Sequence, residues 1–368
     1  MKDGKLVAVD LFSGAGGLSE GLKNAGFDVT LAVDSDYYSC LVYGENHRIP
    51  PLCKDIKEIT RFETLLKAVD LKKREVDLIA GGPPCQGFSV ANKITRNENN
   101  ETNKLVKEFI RIIKEIHPPA FIMENVAGLM SISEGDFIND VISDFESAGY
   151  TITNGKLNAA DYGVPQMRNR IFIVGMQHSK YVFPKPSHGP KGKKPYVSVG
   201  NALLGDLPEL NGSTGERILP YTANPQNKFQ RHLRLSSTRI YDHIITKNNE
   251  TVKRRISAIP QGASLCDLIE RGELAEDLII KVDHKSVYRR LSSDMPSVTI
   301  GNFRKAMLIH PIENRLLSLR EAARLQSFQD KYRFSRGISH MQQLIGNSVP
   351  PLLSKVVAVS LKNKMLKG

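Results

Sequence analysis

Residues 5–12, KLVAVDLF, form a short, mostly apolar run that breaks directly into the glycine-rich turn SGAGGLSEGL. No other feature constrains the fold as much. A run rich in Val and Leu without polar alternation reads as a strand buried on both faces, the kind found in parallel sheets. A glycine turn between such a strand and a helix lets backbone N–H groups approach a nucleotide-like ligand closely. Gly14, Gly16 and Gly17 supply that turn, but Ser19 stands where the third glycine of a dinucleotide fingerprint belongs. Taken alone, the turn reads equally well as a cofactor cradle and as a tight turn.

The pattern then repeats. DVTLAVD (28–34) is a second strand, SDYYSCLVYGENH a helix and VDLIAGG (76–82) a third strand. Leu105, Val106, Phe109, Ile110, Ile113 and Ile116 recur at helical spacing over 103–116, with Thr102 as a cap, and Pro118 and Pro119 stop the helix. AFIMENV (120–126) is the next strand. GKLNAADYG and RIFIVGM read as two closing strands. Alternating strands and helices predict an α/β domain built on a parallel, doubly wound sheet.

After Met176 the texture changes. HSKYVFPKPSHGPKGKKP reads as a linker or loop. Short, basic segments follow to about Pro296, and helical patterns return at LSLREAARLQSF (317–328) and 350–365. Residues 1–175 carry 20 Lys and Arg against 24 Asp and Glu, while 176–368 carry 31 against 15, so net −4 stands beside net +16. Such an excess on one lobe predicts a polyanion partner, nucleic acid first. No apolar run reaches the roughly 18 residues of a membrane span, and the opening MKDGKLVAVDLF does not read as a leader. The four Cys, at 40, 53, 85 and 266, show no C-x-x-C pairing, which argues against a metal cluster or a disulfide scaffold and for a reducing cytosol.

Four places can carry chemistry. Asp34 ends the second strand, where a carboxylate can bond a ribose diol, and Asp55 can meet an adenine amino group. Either aspartate alone reads more readily as a cap or a surface residue. GGPPCQGFS (81–89) sets Cys85 in a constrained loop directly after a buried strand, a setting for a nucleophile. The other three Cys read as structural. Glu124 and Asn125 end the FIMENV strand, and burial of Glu124 would favour its protonated form, suited to donating a proton, with a salt-bridged strand-end glutamate as the other reading. In GVPQMRNRIFIVG (163–175), Gln166, Arg168 and Arg170 alternate on one face of an extended segment, which suits an anion clamp or a plain basic edge.

The order of these elements resembles the DNA (cytosine-5-)methyltransferase family. Glycine turn, acidic strand end, PPCQGFS, ENV, Q-x-R-x-R, LREAARLQSF and GNSVPP follow one another from Asp10 to about Leu361. The resemblance implies a Rossmann-like S-adenosylmethionine-dependent methyltransferase domain at 1–176. It implies a smaller, irregular target-recognition domain at 177–297, and a segment, 298–368, that returns to the catalytic domain. Cys85 resembles the nucleophile that attacks C6 of cytosine, and Glu124 the residue that contacts N3 and the exocyclic amine. Arg168 helps hold the base carbonyl, Arg170 braces the site, and Asn125 positions the loop bearing Cys85. Pro84, Gln86, Ser89 and Gln166 fall at substrate-binding positions. Phe12, Gly14, Gly16, Asp34 and Asp55, with Asn347 and Ser348, resemble the cofactor-binding set for S-adenosylmethionine, released as S-adenosylhomocysteine. The loop 89–102 is long and polar enough to close over a flipped base.

The sequence departs from the family at one point. Ser35 stands where many relatives carry a Trp, with Tyr37 and Tyr38 close by. The implied partners are double-stranded DNA and a restriction endonuclease acting on the same site. A monomer in the bacterial cytoplasm, without membrane or metal, is expected. A tRNA cytosine-5 methyltransferase, a non-catalytic DNA-binding module and a nicotinamide-dependent dehydrogenase stand as the other readings. Arg231, Arg234, Arg239, Arg254, Arg255 and Gln261 are the side chains of the basic region that could reach nucleic acid, with Arg254 and Arg255 suited to phosphate.

Overall fold

The computed structural model describes residues 5–84, 101–126, 136–235, 237–281 and 287–367. The chain divides into two compact units, one of Met1–Asn158, Asn169–Lys185 and Pro351–Gly368, the other of Ala159–Arg168 and Pro186–Pro350. Residues 159–168 thus join the second unit, and the chain passes into the rest of that unit at 185–186. Residues 298–350 cluster with the second unit, and only Pro351–Gly368 returns to the first.

The first unit alternates strands and helices: β1 (Val7–Leu11), α1 (Gly17–Asn24), β2 (Asp28–Asp34), α2 (Tyr37–Asn46), β3 (Leu52–Cys53), α3 (Phe62–Ala68), β4 (Leu78–Gly81), α4 (Glu101–Ile116), β5 (Ala120–Val126), α5 (Asp136–Ser147), β6 (Thr151–Asn158) and β7 (Asn169–Met176). The sheet order is β3-β2-β1-β4-β5-β7-β6. The first five strands run parallel, whereas β7 runs antiparallel to both β5 and β6. The parallel, doubly wound sheet expected from the alternation is present, with β6 and β7 as its two closing strands. The stretch 159–168 between β6 and β7 is too short for the crossover of a dozen or more residues that a parallel partner requires, so β7 returns in the opposite sense between β5 and β6.

The predicted apolar stripe of α4 is what buries the sheet's face. Val106, Phe109, Ile110, Ile113 and Ile116 pack with Val9, Leu11, Leu31, Val33, Ile79, Phe121 and Met123 of the strands. Arg111, on the outer side, bonds Glu108 and Glu115 at 2.8 and 3.1 Å. Phe121 and Phe145 add ring contact at 4.2 Å between centroids.

The second unit is irregular: α6 (Val199–Leu203), β8 (Gly215–Leu219), α7 (Lys228–Leu233), β9 (Ile240–Ile244), α8 (Glu250–Ala258), α9 (Leu265–Arg271), α10 (Leu319–Leu325) and α11 (Ile338–Asn347). β8 and β9 form a two-stranded antiparallel sheet, with α7 in the connection between them. A small core gathers Ile256, Ile259, Leu265, Leu268 and Ile309. The LREAARLQSF segment holds the unit together by charge. Arg324, fully buried, is shared between Asp206 (2.7 Å) and Asp330 (2.6 Å). Arg315 meets Glu321 at 2.7 Å, and Ser318 and Glu321 close a capping box on α10.

Helix α12 (Pro351–Met365) returns to the first unit and lies on α1. Lys362 Nζ donates to the carbonyls of Ala25 and Gly26 at the end of α1, and Tyr181 Oη donates to the Val357 carbonyl. Among the described residues one helical run, Ile338–Met365, is long and apolar enough to cross a membrane, and 67% of its apolar window is buried inside the protein.

Candidate active site

The parallel strands end on one edge, and the sequence places its chemistry there. β1 runs into a turn whose backbone is left-handed at Phe12 (φ 57°), Gly14 (φ 52°) and Gly16 (φ 82°). Phe12 pays a steric cost for this that glycine avoids, of order 1 kcal/mol. A side chain at Gly14 would meet nothing within 4 Å, so the turn faces open space. Gly14 N–H donates to Asp34 Oδ2 at 2.7 Å, and Asp36 N–H donates to Asp34 Oδ1 at 2.8 Å. Asp34 thereby ties the turn after β1 to the loop after β2. Burial pushes its carboxyl above the usual range, against those two donors.

Asp55 follows β3, next to Asp34 because Cys53 pairs with Asp34 in the sheet. Its carboxylate caps a short 3-10 turn through Lys57 N–H at 3.0 Å. Ser35 opens the loop into α2. Tyr37 is exposed, with its ring 5.7 Å from that of Tyr38 in an edge arrangement.

The middle of the edge belongs to β4 and β5. Asn125 Nδ2 donates to the Pro83 carbonyl at 3.1 Å, holding the start of the loop that leads to Cys85. Glu124 is buried, and a side chain at Gly82 would come within 3.1 Å of its Oε2. Arg170 Nε lies 2.9 Å from Glu124 Oε1. The neighbouring guanidinium supplies the countercharge that burial of a carboxylate demands, the salt-bridged arrangement that is one of the two readings of Glu124. Pro84 is half-buried. Cys85, Gln86 and Ser89 lie outside the described residues, as does the loop 89–102 except Glu101 and Thr102, which begin α4.

Gln166 and Arg168 belong to the second unit and are fully buried. Arg168 donates to the carbonyls of Ile300 (2.8 Å), Gly346 (2.7 Å) and Ser348 (2.9 Å). Gln166 accepts from Ile300 N–H and donates to the Leu325 carbonyl. These bonds make the pair braces of their own unit. Asn347 accepts from Gln343 at the end of α11, and Ser348 Oγ donates to the Leu344 carbonyl. Of the basic-region candidates, Arg234 lies over the Tyr221 ring at 3.6 Å, Arg255 donates to the Leu278 carbonyl, Arg254 pairs with Asp277 at 2.7 Å and Gln261 accepts from Ser293. Arg231 and Arg239 are exposed.

Sequence reading missed one group. Asp10, in the middle of the apolar β1, is fully buried, and Ser19 Oγ donates to its Oδ2 at 2.6 Å. Ser19 in turn bonds Tyr43 Oη at 2.8 Å. The serine at the third-glycine position thus joins β1, α1 and α2. Burial pushes the Asp10 carboxyl up to about 7. Its Oδ1 and the buried Ser13 hydroxyl find no hydrogen-bond partner among the described residues. The signal was the lone charge in VAVDLF.

An open, glycine-lined turn, a buried orphan hydroxyl within it and two carboxylates on the next strand ends fit a nucleoside-bearing cofactor. The match of residues 6–363 to the model for C-5 cytosine-specific DNA methylases decides between the readings. The chain belongs to this family. It is a DNA (cytosine-5-)methyltransferase, and methyltransferases of this family use S-adenosylmethionine. The methylase is 34% identical to the Type II methyltransferase M.DdeI of Desulfomicrobium norvegicum, over 95% of this chain and 87% of that one. It is 35% identical to M1.HphI of Haemophilus parahaemolyticus, over 96% and 86%. A prophage-encoded E. coli protein described as a DNA modification methyltransferase has the same fold, with a TM-score of 0.79 and 29% identity over 98% of the methylase and all of that chain.

Proposed function

We propose that the methylase acts on a cytosine flipped out of one specific duplex DNA sequence, through a covalent bond between Cys85 and C6 of the base. Cytosine C5 is a poor nucleophile, and thiolate addition at C6 turns the ring into an enamine whose C5 is reactive. A thiolate suits the task because it attacks well and leaves well. Bound S-adenosylmethionine supplies an electrophilic methyl group. Glu124 contacts N3 and the exocyclic amine and balances the ring's charge as Cys85 adds. Loss of the C5 proton and departure of Cys85 then restore the aromatic ring. The base must leave the stack first, at a cost of a few kcal/mol.

The observation that carries this reading is the pair of contacts directly ahead of Cys85. Asn125 holds the Pro83 carbonyl, and Arg170 braces Glu124 beside Gly82. Phe12, Gly14, Gly16, Asp34 and Asp55 hold the cofactor, with Asn347 and Ser348 completing the set. Pro84, Gln86 and Ser89 meet the base. Arg168 and Gln166 act as positioning residues through the loops they brace. The basic stretch 177–297 reads the DNA, and the net +16 of residues 176–368 supports that role. The protein works as a monomer, with a restriction endonuclease of the same specificity as its cellular counterpart.

The test is labelled S-adenosylmethionine incubated with the purified protein and either unmethylated duplex DNA or tRNA, then conversion sequencing of the DNA. Label at cytosine C5 within one short recurring DNA sequence is expected. Label in tRNA alone moves the substrate to RNA. Label in neither, with DNA binding intact, leaves a binding module without turnover.

A further inference from the structure

Cys40 and Cys53 take no part in the proposed methyl transfer, yet the fold sets them side by side at the cofactor end of the sheet. Cys53 closes β3 and pairs in register with Asp34. Cys40 sits in α2, and its Sγ donates to the Asp34 carbonyl at 3.5 Å. The Asp34 carbonyl that takes the Cys40 thiol also accepts from Lys54 N–H at 2.9 Å, the residue directly after Cys53, so both cysteines meet at Asp34. Both are free thiols, Cys53 exposed and Cys40 only 8% exposed. The residues around them are those assigned above to the cofactor: Asp34 lies between the two sulfurs' segments, and Asp55 follows Cys53 by two residues.

We propose that Cys40 and Cys53 form a reversible oxidation site, a dithiol that closes to a disulfide and thereby weakens cofactor binding. This rests on the cofactor reading given above. Cys53 reacts first, because it is the accessible thiol. Its thiolate attacks the O–O bond of a hydroperoxide, giving the sulfenic acid, and the leaving oxygen takes up a proton to depart as water or alcohol. Cys40 sulfur then attacks the Cys53 sulfur and loses its proton, and the hydroxyl leaves as water. The two thiols lose two electrons and the hydroperoxide gains two. A thiol reductant reverses the step by exchange. Burial pushes the Cys40 thiol up, so the first attack on peroxide falls to Cys53.

The disulfide changes what surrounds Asp34 and Asp55. Cys40 loses the hydrogen it gives to the Asp34 carbonyl. The exposed Cys53 is drawn inward against α2, and the turn that follows it, where Asp55 caps the Lys57 N–H, must move with it. A carboxylate displaced from its ligand loses a charge-assisted hydrogen bond, so affinity falls about tenfold.

The experiment uses the full chain carrying Cys85→Ser, so that oxidation of the proposed nucleophile does not enter. Protein treated with dithiothreitol or hydrogen peroxide is titrated calorimetrically with S-adenosylhomocysteine, and its unreduced digest is mapped by mass spectrometry. A Cys40–Cys53 cross-link, about tenfold weaker binding and full recovery with dithiothreitol are expected. A companion Cys53→Ser variant should bind like the reduced parent and ignore peroxide. Absence of the cross-link, or unchanged affinity once it has formed, overturns the proposal while the cofactor reading stands. A reduced protein that does not bind S-adenosylhomocysteine overturns the cofactor reading and this proposal with it.

Discussion

Arg170 Nε stands 2.9 Å from Glu124 Oε1, one residue on β7 and the other on β5, and both are more than nine-tenths buried. The antiparallel return of β7 brings them together. Removing the cation leaves a buried carboxylate without countercharge, which typically costs about 3–5 kcal/mol. Arg170→Ala should lower the unfolding free energy by that amount, read from denaturant titration, and abolish methyl transfer. Arg170→Lys should retain part of the stability. An alanine variant that unfolds like the parent would show that the pair carries little.

Cys85 is the residue whose loss should separate binding from chemistry. Cys85→Ala is expected to reduce methyl transfer by at least about a thousandfold, the scale on which losing a nucleophile acts in covalent enzymes. Specific DNA binding, followed by gel shift, should stay close to that of the parent. Undiminished methylation by this variant removes the covalent mechanism.

Asp10 makes stability depend on pH in an unusual direction for a carboxyl. Burial holds it up at about 7 in the folded protein, against 3.8 as its ordinary value. Between those values the native state keeps a proton that the unfolded chain has lost, so stability falls as pH rises from about 4 to about 7 and levels off above. The full effect is at most about 4 kcal/mol. Asp10→Asn keeps an oxygen to accept from Ser19 and carries no charge. Its melting temperature should exceed the parent's at pH 8.5, and the gap should shrink at pH 5. Parallel stability profiles for the two proteins would contradict this.

Gly21 marks where α12 lies on α1. A Cβ there would stand 2.2 Å from Ser354 Cβ and 2.7 Å from the Lys355 backbone nitrogen, so the helices must part. Gly21→Ala should cost about 1–3 kcal/mol, read by thermal unfolding. It should also weaken S-adenosylhomocysteine binding, because α1 begins at the glycine turn. Gly44→Ala is the control. Its Cβ would meet Pro51 Cδ at an ordinary 3.8 Å within α2, so neutral or slightly stabilising behaviour is expected.

Most of the sheet unit was legible because its signals are local. The buried strand pattern of 28–34 is β2 itself, and the apolar spacing of 103–116 is the buried stripe of α4. The glycine turn was legible too, since only a few residue types accept its left-handed backbone. The roles of Gln166 and Arg168 were not. Alternation on an extended segment puts both on one face, but nothing local reveals that carbonyls of residues 300 to 348 will consume their donors.

The order of motifs along the chain determined by itself the fold class, the family and the residues proposed for the chemistry, because strand ends, tight turns and helix stripes are each specified within a dozen residues. Only the tertiary structure decided which side chains pair. It turned β7 around to bring Arg170 to Glu124, set Ser19 on Asp10 and brought Cys53 of β3 and Cys40 of α2 together at Asp34. Those pairings join residues up to tens of positions apart, and in each case burial decides which polar partners they must find, which no local pattern encodes.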